Sequence, residues 1–186
     1  MKNKQQNKNK KFSVTDSAYI GVSAALLAIC SWITIPLPSV PITLQTMGIC
    51  LVAGILGMKR GTLATLVFIA LGAIGVPVFS EFTGGINIIL GQTGGYILGF
   101  IFTSLIVGFV SDKFKGKLIP LFISMIVGIA VCYAFGTVWF AVVYAKTNEP
   151  ASILTILGWC VFPFIIPDIV KIAIAGILTN RLRTLK

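Results

Sequence analysis

The stretch FPFIIPDIVKIAIAGIL, from Phe162 to Leu178, decides the fold class of this chain. It is apolar along nearly its whole length, as a segment of a membrane-spanning helix is. Its two charged residues are Asp168 and Lys171. Each charge costs roughly 2.5–3.5 kcal/mol at a helix centre on membrane-insertion scales. A span that carries both therefore indicates a structural or functional use for them.

The composition of the whole chain agrees with a membrane protein. The 186 residues are 56% hydrophobic and 11% charged, whereas soluble domains carry about 25% charged residues. The mean hydropathy is +0.98. The net charge of +10 does not indicate nucleic-acid binding, because the basic residues stand in short clusters between apolar runs, as topology signals do. We predict an all-α integral membrane protein with no nucleic-acid partner.

Six hydrophobic segments divide the chain. They are predicted at 18–35, 43–58, 61–75, 92–111, 118–145 and 152–180. An even number of spans places both termini on one side of the membrane. Of the 15 Lys and Arg residues, 13 fall on that side, with Lys146 opposite and Lys171 inside a span. Because positive charge marks the cytoplasmic side, both termini are predicted to be cytoplasmic.

The N-terminus is predicted to be a basic, disordered cytoplasmic tail over residues 1–15. A single six-helix transmembrane domain follows over 16–186. A basic segment before an apolar one also occurs in secretion signals, whose apolar part is about 7–15 residues long. The apolar run from Ala18 to Ile35 is longer, and no small-x-small cleavage site follows it. A first membrane span is therefore favoured over a cleaved signal.

Two long connections, around 36–45 and 76–91, fall on the outer face in this topology. Asp168 lies 13 residues before Arg181, which places it roughly 20 Å above the cytoplasmic boundary of a core about 30 Å thick. It therefore lies in the outer half of the membrane. The short second and third segments suggest irregular backbone that folds back beside a cavity, where such backbone is tolerated. We predict a ligand pocket that opens outward.

Asp168 and Lys171 are three residues apart and share one helix face. They could form a structural ion pair between helices, or they could bind a neutral-to-anionic ligand, since intramembrane charges commonly mark a site or pathway. Further candidate polar contacts at the outer ends of the spans are Thr43, Gln45, Asn87, Gln92 and Tyr96. Candidate apolar walls are Phe79, Phe82 and Trp159, although aromatic residues in membrane proteins also face lipid or pack between helices.

Motifs for catalysis and metal binding are missing from the sequence. It has no GxxxxGK[ST] loop for ATP, no histidine, and neither HExxH nor GxSxG. The cysteines lie singly in apolar stretches without a CxxC pair, which predicts buried free thiols; they are Cys30, Cys50, Cys132 and Cys160. We predict no enzymatic activity, no metal and no cofactor.

Four stretches, in order, carry a resemblance to a known family. They are IPLPSVPITLQTMGICLVAGILGMKRG, LGAIGVPVFSEFTGG, GQTGGYILGF and FPFIIPDIVK. In this order and spacing they resemble the BioY family, the biotin-specific S components of energy-coupling factor transporters. The family is expected to carry proline where Gln92 stands, so a ligand role for Gln92 is an expectation from this sequence and is not inherited from the family.

The resemblance implies a subunit of the bacterial cell (plasma) membrane, embedded in lipid, that binds biotin from outside with high affinity. A transmembrane T component and two cytoplasmic ATPases would supply the energy. Biotin has a ureido ring, an apolar thiophane ring and a carboxylate. Asp168 would accept a ureido N–H, and Lys171 would donate to the ureido carbonyl or orient Asp168. The remaining shell would consist of Thr43, Asn87, Gln92 and Tyr96, with Phe79 and Trp159 beside the rings.

The first span carries the small-xxx-small pair Ala24 and Ala28, with Gly21 and Ala25 alongside. Such pairs let helices approach closely, and internal packing is one interpretation. The resemblance implies another, in which this face is presented to the T component.

Rival functions remain open at this point. The chain could be a self-sufficient vitamin facilitator or symporter, which would take up its vitamin with no ATPase present. It could be an S component for another small vitamin. It could also be an accessory membrane protein, for which the Asp168–Lys171 pair would be purely structural.

Overall fold

The computed structural model describes residues 13–37, 40–146, 148–149 and 151–184, which are mostly helical. The helices are α1 (Val14–Trp32), α2 (Gln45–Ala73), α3 (Ile86–Leu90), α4 (Gly94–Lys113), α5 (Leu118–Tyr144), α6 (Ile153–Cys160) and α7 (Phe162–Thr184). Within these residues, five helical segments are long and apolar enough to cross a membrane: Val14–Trp32, Gln45–Ala73, Gly94–Lys113, Leu118–Tyr144 and Ile153–Arg183. The predicted all-α membrane class is confirmed.

Helix α2 folds back on itself at Gly57. This residue has φ 77° and ψ −176°, a combination that is essentially restricted to glycine. A Cβ added at Gly61 would lie 2.7 Å from the Cα of Ala53, whereas residues eight apart in a straight helix are about 12 Å apart. Residues 45–56, the first arm, therefore pack against residues 58–73, the second arm. The arms correspond to the predicted segments 43–58 and 61–75.

Helix α1 begins at Val14, earlier than the predicted start at Ala18. The backbone N–H of Ser13 donates to Asp16 Oδ2 at 3.0 Å, which satisfies a donor at the helix N-terminus. Residues 14 and 15, which were assigned to the basic tail, thus belong to the helix. Ser13 precedes the helix as its N-cap, and residues 1–12 of the predicted tail lie outside the described residues.

The connections 33–44 and 74–93 contain short ordered elements that were not predicted. Strands β1 (Thr34–Ile35) and β2 (Ile42–Thr43) pair antiparallel, and a 3₁₀ turn covers Ser80–Phe82. The indole N–H of Trp32 donates to the Pro77 carbonyl at 2.9 Å, and the Trp32 ring stacks on Phe82 at 5.0 Å. These contacts tie the second connection to the end of α1, beside the first connection, at one end of the helix bundle.

The predicted segment 152–180 is divided at Val161, whose φ of −126° and ψ of −55° separate α6 from α7. Helix α7 contains Pro167 and runs on through Arg181 and Arg183. Its buried side packs against α2 and α5.

The interior of the bundle is built around α2, α4, α5 and α7. Val107, Leu121, Met125 and Ala175 are completely buried there. All four cysteines are buried and unpaired, which confirms the prediction of free thiols. In the motif GQTGGY, a Cβ at Gly95 would lie 2.3 Å from the Trp139 side chain, so this glycine permits close helix packing.

Candidate ligand-binding site

A cavity lies between the helices at the end where the two connections meet. It holds about 660 Å³ of space free of protein atoms, counting its open mouth. Six of the predicted ligand contacts line it: Thr43, Gln45, Phe79, Tyr96, Asp168 and Lys171. Residues from connections and helices far apart in the sequence are therefore brought to one place.

Asp168 and Lys171 form a buried ion pair on the wall of this cavity. Lys171 Nζ lies 2.7 Å from Asp168 Oδ1, and their side chains are only 8% and 4% exposed. Removing two charges from water costs several kcal/mol per ion unless their partners compensate. The predicted proximity of the two side chains on one helix face is confirmed.

Two hydroxyl groups from other helices complete the surroundings of Asp168. Thr46 Oγ1, at the start of α2, donates to Asp168 Oδ1 at 2.9 Å and accepts from Lys171 Nζ at 3.4 Å. The Tyr133 hydroxyl, on α5, donates to Asp168 Oδ2. The carboxylate is thus held from α2, α5 and α7 at once, and each of its oxygens accepts at least one hydrogen bond.

Gln45 belongs to a separate buried hydrogen-bond chain at the same end of α2. Thr43 Oγ1 donates to Gln45 Oε1 at 3.2 Å, and Gln45 Nε2 donates to Ser31 Oγ at 2.6 Å. Gln45 is 8% exposed and Thr43 is 9% exposed. This chain fixes the start of α2 against the end of α1, and so fixes the neighbouring Thr46.

Apolar groups form most of the remaining wall. Phe79, Phe100 and Phe164 line the cavity and are all buried. Tyr96 also lines it, while its hydroxyl pairs with Thr137 Oγ1 at 3.0 Å. The site therefore combines an apolar surface with a small, localised group of charges and hydroxyls.

Four of the predicted contacts and walls do not line the cavity in this structure, among them Phe82, which stacks on Trp32 instead. Asn87, on the short helix α3, is exposed, although the adjacent Ile88 lines the cavity. Gln92 is half-buried beside α4. The Trp159 ring packs at 5.6 Å from the Tyr144 ring.

The match to a known family covers nearly the whole sequence. The BioY family matches residues 3–186. The chain belongs to the BioY family. As a family member with several apolar spans, it is a multi-pass membrane protein.

Individual BioY relatives and a solved structure agree with this assignment. A biotin transporter BioY of Thermotoga maritima is 35% identical over 166 residues, 89% of this chain and 94% of the relative. A probable biotin transporter BioY of Pyrococcus horikoshii is 38% identical over 164 residues, 88% and 93% of the two chains. The crystal structure of the S-component for biotin from an ECF-type ABC transporter aligns with a TM-score of 0.81 and 31% identity, over 92% of each chain.

The BioY chain places several residues in the site that the sequence analysis did not assign. They are Thr46, Phe100, Cys132, Tyr133, Cys160 and Phe164. A signal existed for Tyr133, because a phenol inside an apolar helix requires a hydrogen-bond partner. Thr46 lies next to Gln45, but only the packing of α2 against α7 brings its hydroxyl to Asp168.

The pair Ala24 and Ala28 does not form an exposed face. The two residues are 3% and 5% exposed because α1 packs this side against α2, and this burial favours internal packing. Gly21 and Ala25, which lie about 60° around α1 from this pair, are exposed. The accessible small-residue pair of this helix is therefore three positions before the pair predicted to dock the partner.

Proposed function

We propose that this chain binds biotin in the cavity and mediates its uptake as the S component of an energy-coupling factor transporter. The observation that carries the proposal is the buried Asp168–Lys171 pair on the wall of an apolar cavity, in a chain of the BioY family. The relatives named above are a biotin transporter and a probable biotin transporter, and the aligned crystal structure is of a biotin S component. The chain is a transport subunit and not an enzyme.

The ion pair retains hydrogen-bonding capacity for a ligand. A carboxylate offers about four lone-pair sites, and Thr46, Tyr133 and Lys171 each donate to Asp168. An ammonium group has three donors, and Lys171 directs two contacts at Asp168 and Thr46. One acceptor and one donor therefore remain. In the proposed complex, Asp168 accepts a ureido N–H of biotin and Lys171 donates to the ureido carbonyl.

The rest of the cavity suits the other parts of biotin. The thiophane ring and the aliphatic chain are apolar, and Phe79, Phe100 and Phe164 offer an apolar wall. Further ligand contacts in the proposal are Thr43, Gln45 and Tyr96 on the wall, with Asn87, Gln92 and Trp159 farther out.

The proposed topology has six spans, with both termini cytoplasmic and the cavity open to the outside. The two arms of α2 count as separate short spans, which the contact between Gly61 and Ala53 supports. The cations Lys59, Arg60, Lys113, Lys115 and Arg183 stand at the end away from the cavity, and positive charge favours the cytoplasmic side. A membrane-impermeant thiol reagent applied from outside should label Asn148→Cys and not Lys115→Cys. Outside labelling of Lys115→Cys alone would overturn the orientation.

A transmembrane T component and two ATPases complete the proposed transporter. The sequence itself has no P-loop, so ATP hydrolysis belongs to the partners. The exposed side of α1 with Gly21 and Ala25 is the proposed contact with the T component, since small side chains allow close helix approach.

Ligand titration of the detergent-purified chain tests the proposed function. Biotin, desthiobiotin, lipoate, thiamine and riboflavin are compared by calorimetry. We expect biotin to bind tightest and desthiobiotin next, because it keeps the ureido ring but lacks the thiophane ring. Preference for thiamine or riboflavin would indicate an S component for another vitamin. Biotin uptake by the chain in proteoliposomes without any ATPase would instead support a self-sufficient facilitator.

A further inference from the structure

A second groove opens at the basic end of the bundle, away from the biotin cavity. It is lined by Ile55, Leu56, Arg60, Asp112, Lys115 and Arg183. Three cationic side chains thus face a space of about 810 Å³, counting its open side, with one carboxylate and two aliphatic side chains. Neither the biotin site nor the proposed contact with the T component uses this groove.

The three cations reach the groove from different parts of the fold. Arg60 lies on the second arm of α2, Lys115 in the turn between α4 and α5, and Arg183 near the end of α7. Lys115 has a φ of 52°, a conformation that is unfavourable for residues other than glycine. The turn is nevertheless fixed, because the N–H of Gly116 donates to the Ser111 carbonyl at 2.9 Å. The fold therefore holds Lys115 at the groove.

Positive charge exceeds negative charge around the groove. Arg183 pairs with Asp112 at 3.1 Å, and Arg60 pairs with Asp16 at 2.5 Å. Among the salt bridges of the described residues, none involves Lys115. Further cations stand at the same end: Lys59, Lys113, Lys117 and Arg181. An anion entering this groove would meet a net positive field.

The surroundings combine this charge with apolar surface. Ile55 and Leu56 line the groove itself. Met58 is 37% exposed beside the bend in α2, and Phe109 and Phe114 are 52% and 41% exposed at the end of α4. A phospholipid carries a phosphate beside apolar chains. It therefore matches a basic site that is bordered by apolar surface at the end of a membrane helix. A free anion or an acidic peptide would match the charge but leave the adjoining apolar surface unused.

We propose that this groove binds the headgroup phosphate of an anionic phospholipid. The phosphate lies among Arg60, Lys115 and Arg183, and the glycerol portion rests on Ile55 and Leu56. The acyl chains continue along the exposed apolar side chains beside the bend in α2 and at the end of α4. The bound lipid would neutralise excess positive charge where three segments of the chain meet.

Native mass spectrometry of the full chain in detergent can measure this binding with phosphatidylglycerol, and with phosphatidylcholine for comparison. We expect phosphatidylglycerol to bind at least fivefold more tightly, and raising the ammonium acetate concentration to weaken it. Lys115→Gln should weaken phosphatidylglycerol binding about fivefold, since one basic residue contributes roughly 1 kcal/mol at an anionic lipid surface. Biotin binding by Lys115→Gln should be unchanged, which shows that this variant is folded.

Lys146→Gln is the matched control, because it removes the same charge at the opposite end of α5, about 40 Å away. It should leave phosphatidylglycerol binding unchanged. Equal weakening by Lys146→Gln and Lys115→Gln would show a nonspecific charge effect and overturn the proposal. Equal binding of the two lipids would also overturn it. Displacement of phosphatidylglycerol by millimolar glycerol phosphate would assign the groove to a soluble phosphate instead of a lipid.

Discussion

Helix α7 carries two charged regions that are built in different ways. Near its start, Asp168 and Lys171 are almost completely buried and face a cavity. Near its end, Arg183 pairs with Asp112, whose side chain is 51% exposed. The buried pair is held by side-chain hydroxyls and lines the cavity, whereas Arg183 is held largely by backbone carbonyls. In the proposed complex the first arrangement exchanges partners with biotin, whereas the second mainly fixes the backbone beside the lipid groove.

The contacts of Arg183 show what the second region stabilises. Arg183 donates to the carbonyls of Ile55 at 3.4 Å and Ser111 at 2.5 Å. These carbonyls lie near the ends of the first arm of α2 and of α4, where helices lack internal partners. Asp112 Oδ2 accepts from the N–H of Met58 at 2.9 Å, just after the bend at Gly57. An exposed ion pair alone contributes about 0–1 kcal/mol, so these backbone contacts are the main contribution.

The largest expected effect is loss of biotin binding when the buried pair is altered. Asp168→Asn keeps the shape but removes the anionic acceptor, and hydrogen bonds to charged groups contribute about 1.5–3 kcal/mol. Calorimetry should therefore show biotin binding at least tenfold weaker, and Lys171→Met should behave likewise. Asp112→Asn makes the same chemical change at the other end of the bundle and should leave affinity within about twofold.

Folding must be separated from binding in this test. Asp168→Asn leaves Lys171 buried without a carboxylate, which is destabilising. The double variant Asp168→Asn/Lys171→Met removes both charges and should be more stable than the single variant, yet still bind biotin weakly. A folded Asp168→Asn protein with the parent's affinity would make the pair purely structural.

The second expected effect is a loss of thermal stability with biotin binding retained, the opposite of the effect expected at the buried pair. A Cβ at Gly57 would lie 2.1 Å from Asp112 Oδ1, at a φ of 77°. Gly57→Ala should therefore lower the thermal midpoint by about 3–10 °C, which corresponds to roughly 1–3 kcal/mol. Arg183→Gln should do the same by freeing backbone carbonyls. Biotin affinity of both variants, measured well below the midpoint, should stay within about twofold.

Gly21→Ala is the matched control for the glycine substitution. A Cβ at Gly21 has no neighbour within 4 Å, and alanine favours a helix over glycine by roughly 0.5–1 kcal/mol. Its thermal midpoint should be equal or slightly higher. If Gly57→Ala is as stable as Gly21→Ala, the bend does not depend on this glycine.

A smaller effect is expected for the hydroxyls that hold Asp168. Tyr133→Phe removes one donor while Thr46 and Lys171 remain, so biotin binding should weaken by only about two- to tenfold. Thr46→Val should give a similar change. If Tyr133 acts by positioning Asp168, Tyr133→Phe should have little further effect in an Asp168→Asn background, because their contributions are coupled. Additive losses would show that Tyr133 acts on the ligand independently of Asp168.

The two regions also differ in how far the sequence predicts them. Asp168 and Lys171 could be assigned because two charges in an apolar helix are costly and their spacing places them on one face. Tyr133 and Thr46 could not, since their roles depend on how α5 and α2 pack against α7. The sequence predicts the bend at Gly57 only approximately, because it places the boundary between two segments at the nearby Lys59 and Arg60. Positive charge marks the end of a membrane span but does not identify the residue at which the backbone turns.

The connections were the least predictable part of the fold. Strands β1 and β2 are two residues each, too short to produce an alternating pattern in the sequence. Which small-residue pair of α1 is exposed likewise depends on helix packing. Ala24 and Ala28 satisfy the small-xxx-small pattern as Gly21 and Ala25 do, and only the position of α2 determines which pair is exposed.

The smallest effect on the isolated chain is expected for Ala25→Trp, which lies outside both charged regions. Ala25 is exposed on α1, so a bulky side chain there meets lipid or detergent and should change neither the thermal midpoint nor biotin affinity measurably. Ala28 is 5% exposed, so Ala28→Trp must displace packed neighbours and should lower stability and binding together. The proposed docking face adds a second readout: Ala25→Trp should fail to co-purify with a T component, because the indole fills the space that an approaching helix needs. If Ala25→Trp assembles normally and supports ATP-driven biotin uptake, this side of α1 does not contact the T component.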